Sequence, residues 1–264
     1  MKFIYLVWAL CSITAANAQQ TKTVIQSDST LQTQQLKPFN SFNSVKEKNS
    51  KIRSLFIPAD LIAYGFIAIE NKGLKKLDTN TKLELQEDHP AFITKMDNYL
   101  QYSPALAVYA LNGLGVKGKN SFRDRTIIYS LSTIISSAIV LPVKKITKVQ
   151  RPDGSGFNSF PSGHTTTAFA AAEFLRMEYK DVSPWYGIAG YTVAAATGAL
   201  RLYNNKHWVS DVVAGAGFGI LSTKLAYWIY PSIKRKFFKD KPMHTMLMPY
   251  YQNSGGGLAM VYHF

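Results

Sequence analysis

The chain has 264 residues, of which 47% are hydrophobic and 17% charged. That is enough for one domain with a substantial core, and it excludes disorder throughout. A mean hydropathy of −0.06 is low for a protein built mainly of lipid-facing helices. The formal net charge of +14 raises nucleic acid as a partner. However, the basic residues recur at 46–53, 117–125, 144–151 and 234–241 rather than in one aromatic-studded stripe, which argues against nucleic acid. Phosphorylated substrates or anionic lipid headgroups suit such a chain better.

Residues 1–18, MKFIYLVWALCSITAANA, have the form of a secretory signal peptide. Lys2 supplies the positive start, Phe3 to Ile13 a short apolar run, and Ala16-Asn17-Ala18 the small-residue cleavage site. The expected location is therefore the cell envelope, in the periplasm. Cys11 is the single cysteine and lies inside this segment, so the mature chain has no thiol for a disulfide, a metal or a nucleophile. Residues 19–52, rich in Gln, Ser, Thr and Lys in their first part, read as a flexible N-terminal arm.

Residues 53–242 form the expected helical domain. Apolar segments follow at 55–69, 104–116, 126–142, 165–175, 185–200 and 212–230. Their lengths and their Ala, Leu, Ile and Gly content predict helices, and residues 88–102 add an amphipathic one. The fold class is all-α, a bundle of about six core helices. In the tail, 243–264, the turn-like 250–257 precedes an alternation of Leu258, Met260, Tyr262 and Phe264, predicting a small β-hairpin.

The evidence for membrane spanning divides. The 126–142 segment is uncharged and nearly long enough, whereas Lys224 interrupts 212–230, Glu173, Arg176 and Glu178 fall in 165–180, and Pro58 and Asp60 fall in 55–69. Most candidates fall short of about 20 clean apolar residues. A cleaved signal also conflicts with six spans if the site described next faces the periplasm. A five-span arrangement would place the basic 117–125 and 231–241 stretches in the cytoplasm, as the positive-inside rule favours.

Three clusters carry chemistry. In the first, Lys144 and Arg151 are seven apart, one face of a helix that Pro152 would end. Cations also gather at helix C-termini for the dipole alone. In the second, the loop 153–159 leads to Pro161-Ser162-Gly163-His164, where Ser162 can cap a helix and Gly163 permits close backbone approach. Such a start attracts phosphate. In the third, Arg201 precedes His207 and Asp211, with His207 expected to open a helix. As i and i+4 neighbours, His207 and Asp211 suit either a surface pair or an oriented nucleophile. His89, His244 and His263 belong to no cluster and read as structural or surface residues. Gly215 and Gly219, four apart, point to close helix packing.

Taken together, Lys144-x6-Arg151-Pro152, Pro161-Ser162-Gly163-His164 and Arg201-x5-His207-x3-Asp211 resemble the three-part signature of the type 2 phosphatidic acid phosphatase superfamily. That superfamily includes bacterial non-specific acid phosphatases and vanadium haloperoxidases. The resemblance runs from Lys144 to Asp211, about a quarter of the chain. It departs from the usual pattern at Leu200, where a serine commonly stands, and in the short gap between the first two motifs.

The resemblance implies that Lys144, Arg151 and Arg201 clamp the phosphoryl oxygens, with Ser162 and the Gly163 N–H adding hydrogen bonds. It implies that His207 attacks phosphorus, that Asp211 orients it, and that His164 protonates the leaving oxygen. No metal or other cofactor is expected, and vanadate should inhibit. The implied substrate is a phosphorylated small molecule or lipid. Two other functions fit the same cradle: a vanadate-dependent haloperoxidase and a non-catalytic phosphate-binding envelope protein. Selectivity is expected from 55–103 and from the loops beside Asp153 and Asn204.

Overall fold

A computed structural model describes residues 52–238, 245–252 and 255–262. The signal peptide, nearly all of the N-terminal arm, His244 and His263 lie outside the described residues. Eight helices are present among those described. They are α1 (Phe56–Glu70), α2 (Lys72–Asp88), α3 (Asp97–Leu100), α4 (Ser103–Gly113), α5 (Phe122–Thr147), α6 (Gly163–Tyr179), α7 (Pro184–Tyr203) and α8 (Val209–Phe237). A hairpin follows, with β1 (Thr245–Gln252) antiparallel to β2 (Gly255–Tyr262). The six apolar segments became α1, α4, α5, α6, α7 and α8, and the chain is all-α apart from the terminal hairpin.

Side-chain caps define several helix starts. Asn71 accepts from the Gly73 and Leu74 N–H groups, Ser121 from Asp124, Ser162 from Thr165 and Ser183 from Trp185. Each cap satisfies donors that the first turn leaves open. Pro184 directly after Ser183 supplies the preset φ of a first helical residue.

Helix α6 is the central element. Ala168, Ala171, Ala172 and Phe174 are fully buried in it, and α4, α5, α7 and α8 all pack against it. One core cluster joins Phe174, Leu175 and Tyr179 of α6 to Ala105 and Val108 of α4. A second joins Val140 of α5 and Phe160 to Ala214 and Phe218 of α8.

The approach of α8 to α6 depends on small residues. A Cβ at Gly215 would stand 2.7 Å from the Ser162 carbonyl oxygen, and one at Gly219 would stand 2.3 Å from that of Thr166. The expected role of this glycine pair in close packing is thus borne out, and it brings the first turn of α8 against the start of α6.

One expectation needs correction. The amphipathic helix over 88–102 does not form. The preceding helix ends at Asp88, residues 89–96 are irregular, and only Asp97–Leu100 is helical. Pro90 lacks an N–H and disfavours helical geometry before it. The unforeseen α2 buries a face made of Leu74, Leu77, Asp78, Thr81 and Leu85. Two of those five positions are polar, which hides its helical period from a hydrophobicity reading.

Of the charges counted against spanning, Glu173, Glu178 and Lys224 are buried, Arg176 is half-buried and Asp60 is exposed. Glu173 is fully buried and receives Arg176 Nε at 2.7 Å, Arg176 Nη2 at 2.6 Å, the Tyr191 hydroxyl, and Lys224 Nζ at 2.9 Å. Glu178 accepts from the Asn120 N–H, the Asn120 side chain and the Tyr227 hydroxyl. These groups satisfy one another internally, so they say little about the outer surface. By length and composition α5 and α8 could each cross a membrane. Helix α8 is half interior, whereas α5 turns Ile134, Leu141 and Ile146 outward.

Candidate active site

The three clusters converge at the junction of α5, α6, α7 and α8. Helix α5 ends at Thr147, with Lys148 in the left-handed region at φ 46°. Arg151 is therefore not on the helix, which corrects the shared-face expectation for Lys144 and Arg151. It starts a turn instead: its N–H bonds to the Gly156 carbonyl at 2.9 Å, and its Nε donates to Asn158 Oδ1 at 2.8 Å. Lys144, in the last turn of α5, donates to the Asn158 and Ser159 carbonyls at 2.7 and 3.2 Å. Both cations thus grip the loop 153–159, which forms as predicted and leads into a cis Phe160–Pro161 peptide.

Ser162 is fully buried at the start of α6, and its Oγ accepts from Thr165. It acts as the helix cap. A Cβ built on Gly163 would meet nothing within 4 Å, so the glycine leaves open space over the first N–H groups of α6. No packing requirement explains its lack of a side chain.

His207 lies just before α8 rather than opening it, which is the third correction: Trp208 is the N-cap and Val209 the first helical residue. The contact with Asp211 forms nonetheless, because Asp211 is the third residue of α8 and reaches back over the cap. Its Oδ2 accepts from the Trp208 N–H at 2.9 Å, half of a capping box. The same oxygen lies 3.3 Å from His207 Nδ1 and accepts from the Ser159 hydroxyl, which is itself 3.4 Å from Nδ1.

Asp211 is fully buried, and its other oxygen has no partner. A carboxylate at Nδ1 holds the proton on that nitrogen and leaves Nε2 with a free lone pair. Burial pushes the His207 pKa down to about 4, against the opposing pull of Asp211, with Lys144 and Arg201 lowering it further. The ring is therefore neutral over most of the physiological range.

Helix α2 supports this arrangement from behind. Asp78 accepts from the Ser210 N–H at 3.0 Å and the Ser210 hydroxyl at 2.6 Å, anchoring the first turn of α8. Lys82 donates to the Pro152 carbonyl at 2.6 Å and stands 5.6 Å from the Trp208 ring centre. Trp208 in turn donates from Nε1 to the Gln150 carbonyl at 2.8 Å, tying the first cluster to the third. The loops beside Asp153 and Asn204 meet other segments: Lys206 pairs with Asp153 at 2.5 Å, and Asn204 exchanges hydrogen bonds with the Thr94 backbone.

Arg201, at the end of α7, is buried and pairs through Nη1 with Asp97 of α3, while its Nε is buried without a partner. His164 Nε2 lies 2.7 Å from Asn98 Oδ1. Burial lowers the His164 pKa, as do Arg201, Arg151 and Lys144, with Asp97 opposing them. The eight residues singled out in the sequence thus gather around one place. Four that were not singled out complete it: Asp97, Asn98, Asn158 and Ser159. Among the described residues, no three His, Cys, Asp or Glu side chains cluster as metal ligands would. His89 is the C-cap of α2, and its ring lies 5.5 Å from that of Tyr203 at a tilt of 53°, away from the three clusters in sequence.

Residues 125–235 match the profile of the PAP2 superfamily. This region is similar to PAP2 superfamily proteins. It takes in all three clusters, which lie on α5, α6, α7 and α8 and the loops that join them.

Curated relatives match part of the chain. It is 44% identical over 146 residues to a lipid A 1-phosphatase of Porphyromonas gingivalis, covering 55% of this chain and 33% of that protein. It is 43% identical over 67 residues to a lipid A 1-phosphatase of Rhizobium johnstonii, covering 25% of each. It is 34% identical over 76 residues to the bacitracin transport permease protein BcrC of Bacillus licheniformis, covering 29% of this chain and 36% of that one. The matches therefore span about a third or less of these relatives. Among solved structures, a transmembrane PAP2-type phosphatidylglycerolphosphate phosphatase from Bacillus subtilis superposes with a TM-score of 0.48 at 20% identity. That superposition covers 69% of this chain and 99% of the other. Aquifex aeolicus LpxE gives a TM-score of 0.42 at 19% identity, covering 55% of this chain and 92% of the other.

Proposed function

We propose that the protein is a metal-independent phosphatase that removes phosphate from a lipid phosphate or diphosphate through a phosphohistidine. The observation that carries this reading is His207. It is a buried, neutral imidazole held at Nδ1 by Asp211 and Ser159, with its free nitrogen in the field of Lys144 and Arg201. A neutral ring with a fixed tautomer is a competent nucleophile at a pH where a free histidine would be partly protonated.

Phosphoryl transfer asks mainly for positioning and charge stabilisation. Lys144, Arg151 and Arg201 supply cationic donors, and the uncovered start of α6 at Gly163 supplies backbone N–H groups. His207 Nε2 attacks phosphorus as the bond to the leaving oxygen breaks, and His164 gives that oxygen a proton. Water, deprotonated by the now neutral His164, then attacks the phosphohistidine, releasing inorganic phosphate and restoring His207.

Three observations favour a lipid substrate and association with a membrane. They are the lipid A 1-phosphatase relatives, the outward apolar face of α5, and the excess of basic residues.

The test is hydrolysis by the purified chain, with EDTA present, of p-nitrophenyl phosphate and of a lipid phosphate in mixed micelles. EDTA-resistant turnover of the lipid that vanishes in His207→Ala supports the proposal. Turnover that survives in His207→Ala, or that EDTA abolishes, refutes it. Halide oxidation on addition of vanadate and peroxide, without hydrolysis, would favour the haloperoxidase reading.

A further inference from the structure

Two of the candidate catalytic side chains are held by adjacent residues of one short helix that lies outside all three clusters. Asp97 is almost fully buried and pairs with Arg201 Nη1, while Asn98, exposed at the surface, meets His164 Nε2 at 2.7 Å. The segment is fixed in place. Asn204 donates to Asp97 Oδ2 at 3.3 Å and to the Thr94 carbonyl at 2.9 Å, and it accepts from the Thr94 N–H at 2.9 Å. Helix α3 is thereby tied to the end of α7, one turn beyond Arg201.

We infer that Asp97 and Asn98 are positioning residues of the phosphoryl-transfer site, Asp97 for the guanidinium of Arg201 and Asn98 for the ring of His164. The inference rests on the phosphatase reading for its catalytic meaning.

An arginine with one nitrogen anchored by a carboxylate cannot swing freely. Its remaining donors, including the unpartnered buried Nε, then meet the substrate at little further ordering cost. An amide oxygen can only accept, so Asn98 keeps a proton on His164 Nε2 and leaves Nδ1 to exchange the catalytic proton. Such an acceptor gains more from the charged ring than from the neutral one. It therefore opposes burial and the three cations that face His164: Lys144 of α5, Arg151 of the loop and Arg201 of α7. Asp97 of α3 is the carboxylate acting in the same direction.

The test is a histidine side-chain NMR titration of the full chain, with His164 assigned by loss of its signal in His164→Gln. It is paired with the pH profile of kcat/KM on an alkyl phosphate, whose poorly departing oxygen needs the proton from His164. Asn98 is exposed, so Asn98→Ala and Asn98→Asp should both fold. We expect Asn98→Asp to raise the His164 pKa by about one unit or more, since it places a carboxylate on the ring. Asn98→Ala should lower it, and the alkaline limb of the profile should move with each change. Asp97→Ala should lose about tenfold or more in kcat/KM, with Asp97→Asn recovering most of it because an oxygen remains for Nη1.

A His164 titration unmoved by Asn98→Asp overturns the inference whether or not the chain turns over the probe. Titrations that move as expected in a protein with no hydrolysis leave the positioning intact and remove the phosphatase reading instead.

Discussion

Gly163 opens α6 and Gly215 of α8 packs against that same start, yet the two make opposite predictions. An alanine methyl at Gly163 would enter open space, and its φ is not in the left-handed region. Gly163→Ala should therefore fold normally and stabilise the chain by about 0.4–1 kcal/mol through the unfolded state. The methyl would nonetheless stand over the N–H groups proposed to receive phosphate. We expect kcat/KM to fall about tenfold or more, which corresponds to about 1.4 kcal/mol of lost transition-state binding.

At Gly215 the methyl would stand 2.7 Å from the Ser162 carbonyl oxygen, where ordinary contact begins at 3.4 Å. About 0.7 Å must then be found between two backbones, at a cost of about 1–3 kcal/mol. The melting temperature should fall by about 2–4 °C per kcal/mol in a domain of this size. The shift also separates Asp211 from Ser162, whose N–H bonds to the Asp211 carbonyl at 3.0 Å, so activity should fall as well. Thermal melts and steady-state kinetics on both variants provide the assay. Full activity in Gly163→Ala would refute the phosphate cradle, and a Gly215→Ala protein as stable as the parent would refute the packing argument.

The pH profile follows from the two histidines. His207 must be neutral to attack and its pKa lies at about 4, so kcat/KM should hold as pH falls through 6 and drop only near 4. His164 must be protonated to act first as an acid, and its pKa is lowered from 6.5, so the alkaline limb should lie below 6.5. A profile rising toward pH 8 would contradict both assignments. Ser159→Ala removes a hydrogen bond to the buried Asp211 carboxylate, which should cost about 1.5–3 kcal/mol of stability by chemical denaturation and lower kcat. Glu173→Gln leaves Arg176 and Lys224 without their buried carboxylate. It should destabilise by about 3–5 kcal/mol in the same assay, without altering the pH profile of any protein that remains folded.

The sequence made much of the site legible, because three motifs in order carry most of its charges and both of its histidines. Apolar composition located six helices for the same kind of reason: each must bury a continuous face. What it hid had physical causes. Helix α2 was missed because Asp78 and Thr81 sit on its inner face, where Asp78 anchors Ser210. The reach of α5 was overestimated because the turn at Lys148 depends on the loop that Lys144 and Arg151 hold, not on Pro152 alone. Asp97 and Asn98 could not be found from spacing, since their partners lie 104 and 66 residues away. Ser159 reads as loop polarity until Asp211 is seen beside it.

The central claim is that His207 carries the phosphoryl group. The most direct test is to mix enzyme with phosphorus-labelled substrate, quench in alkali within the first turnover, and map the label by peptide mass spectrometry. The account predicts label on the peptide containing His207, none in His207→Ala, and more in His164→Ala when the substrate has a good leaving group and only the second step needs the missing base. Label on another residue, or sustained turnover with no labelled intermediate at any time, would contradict it.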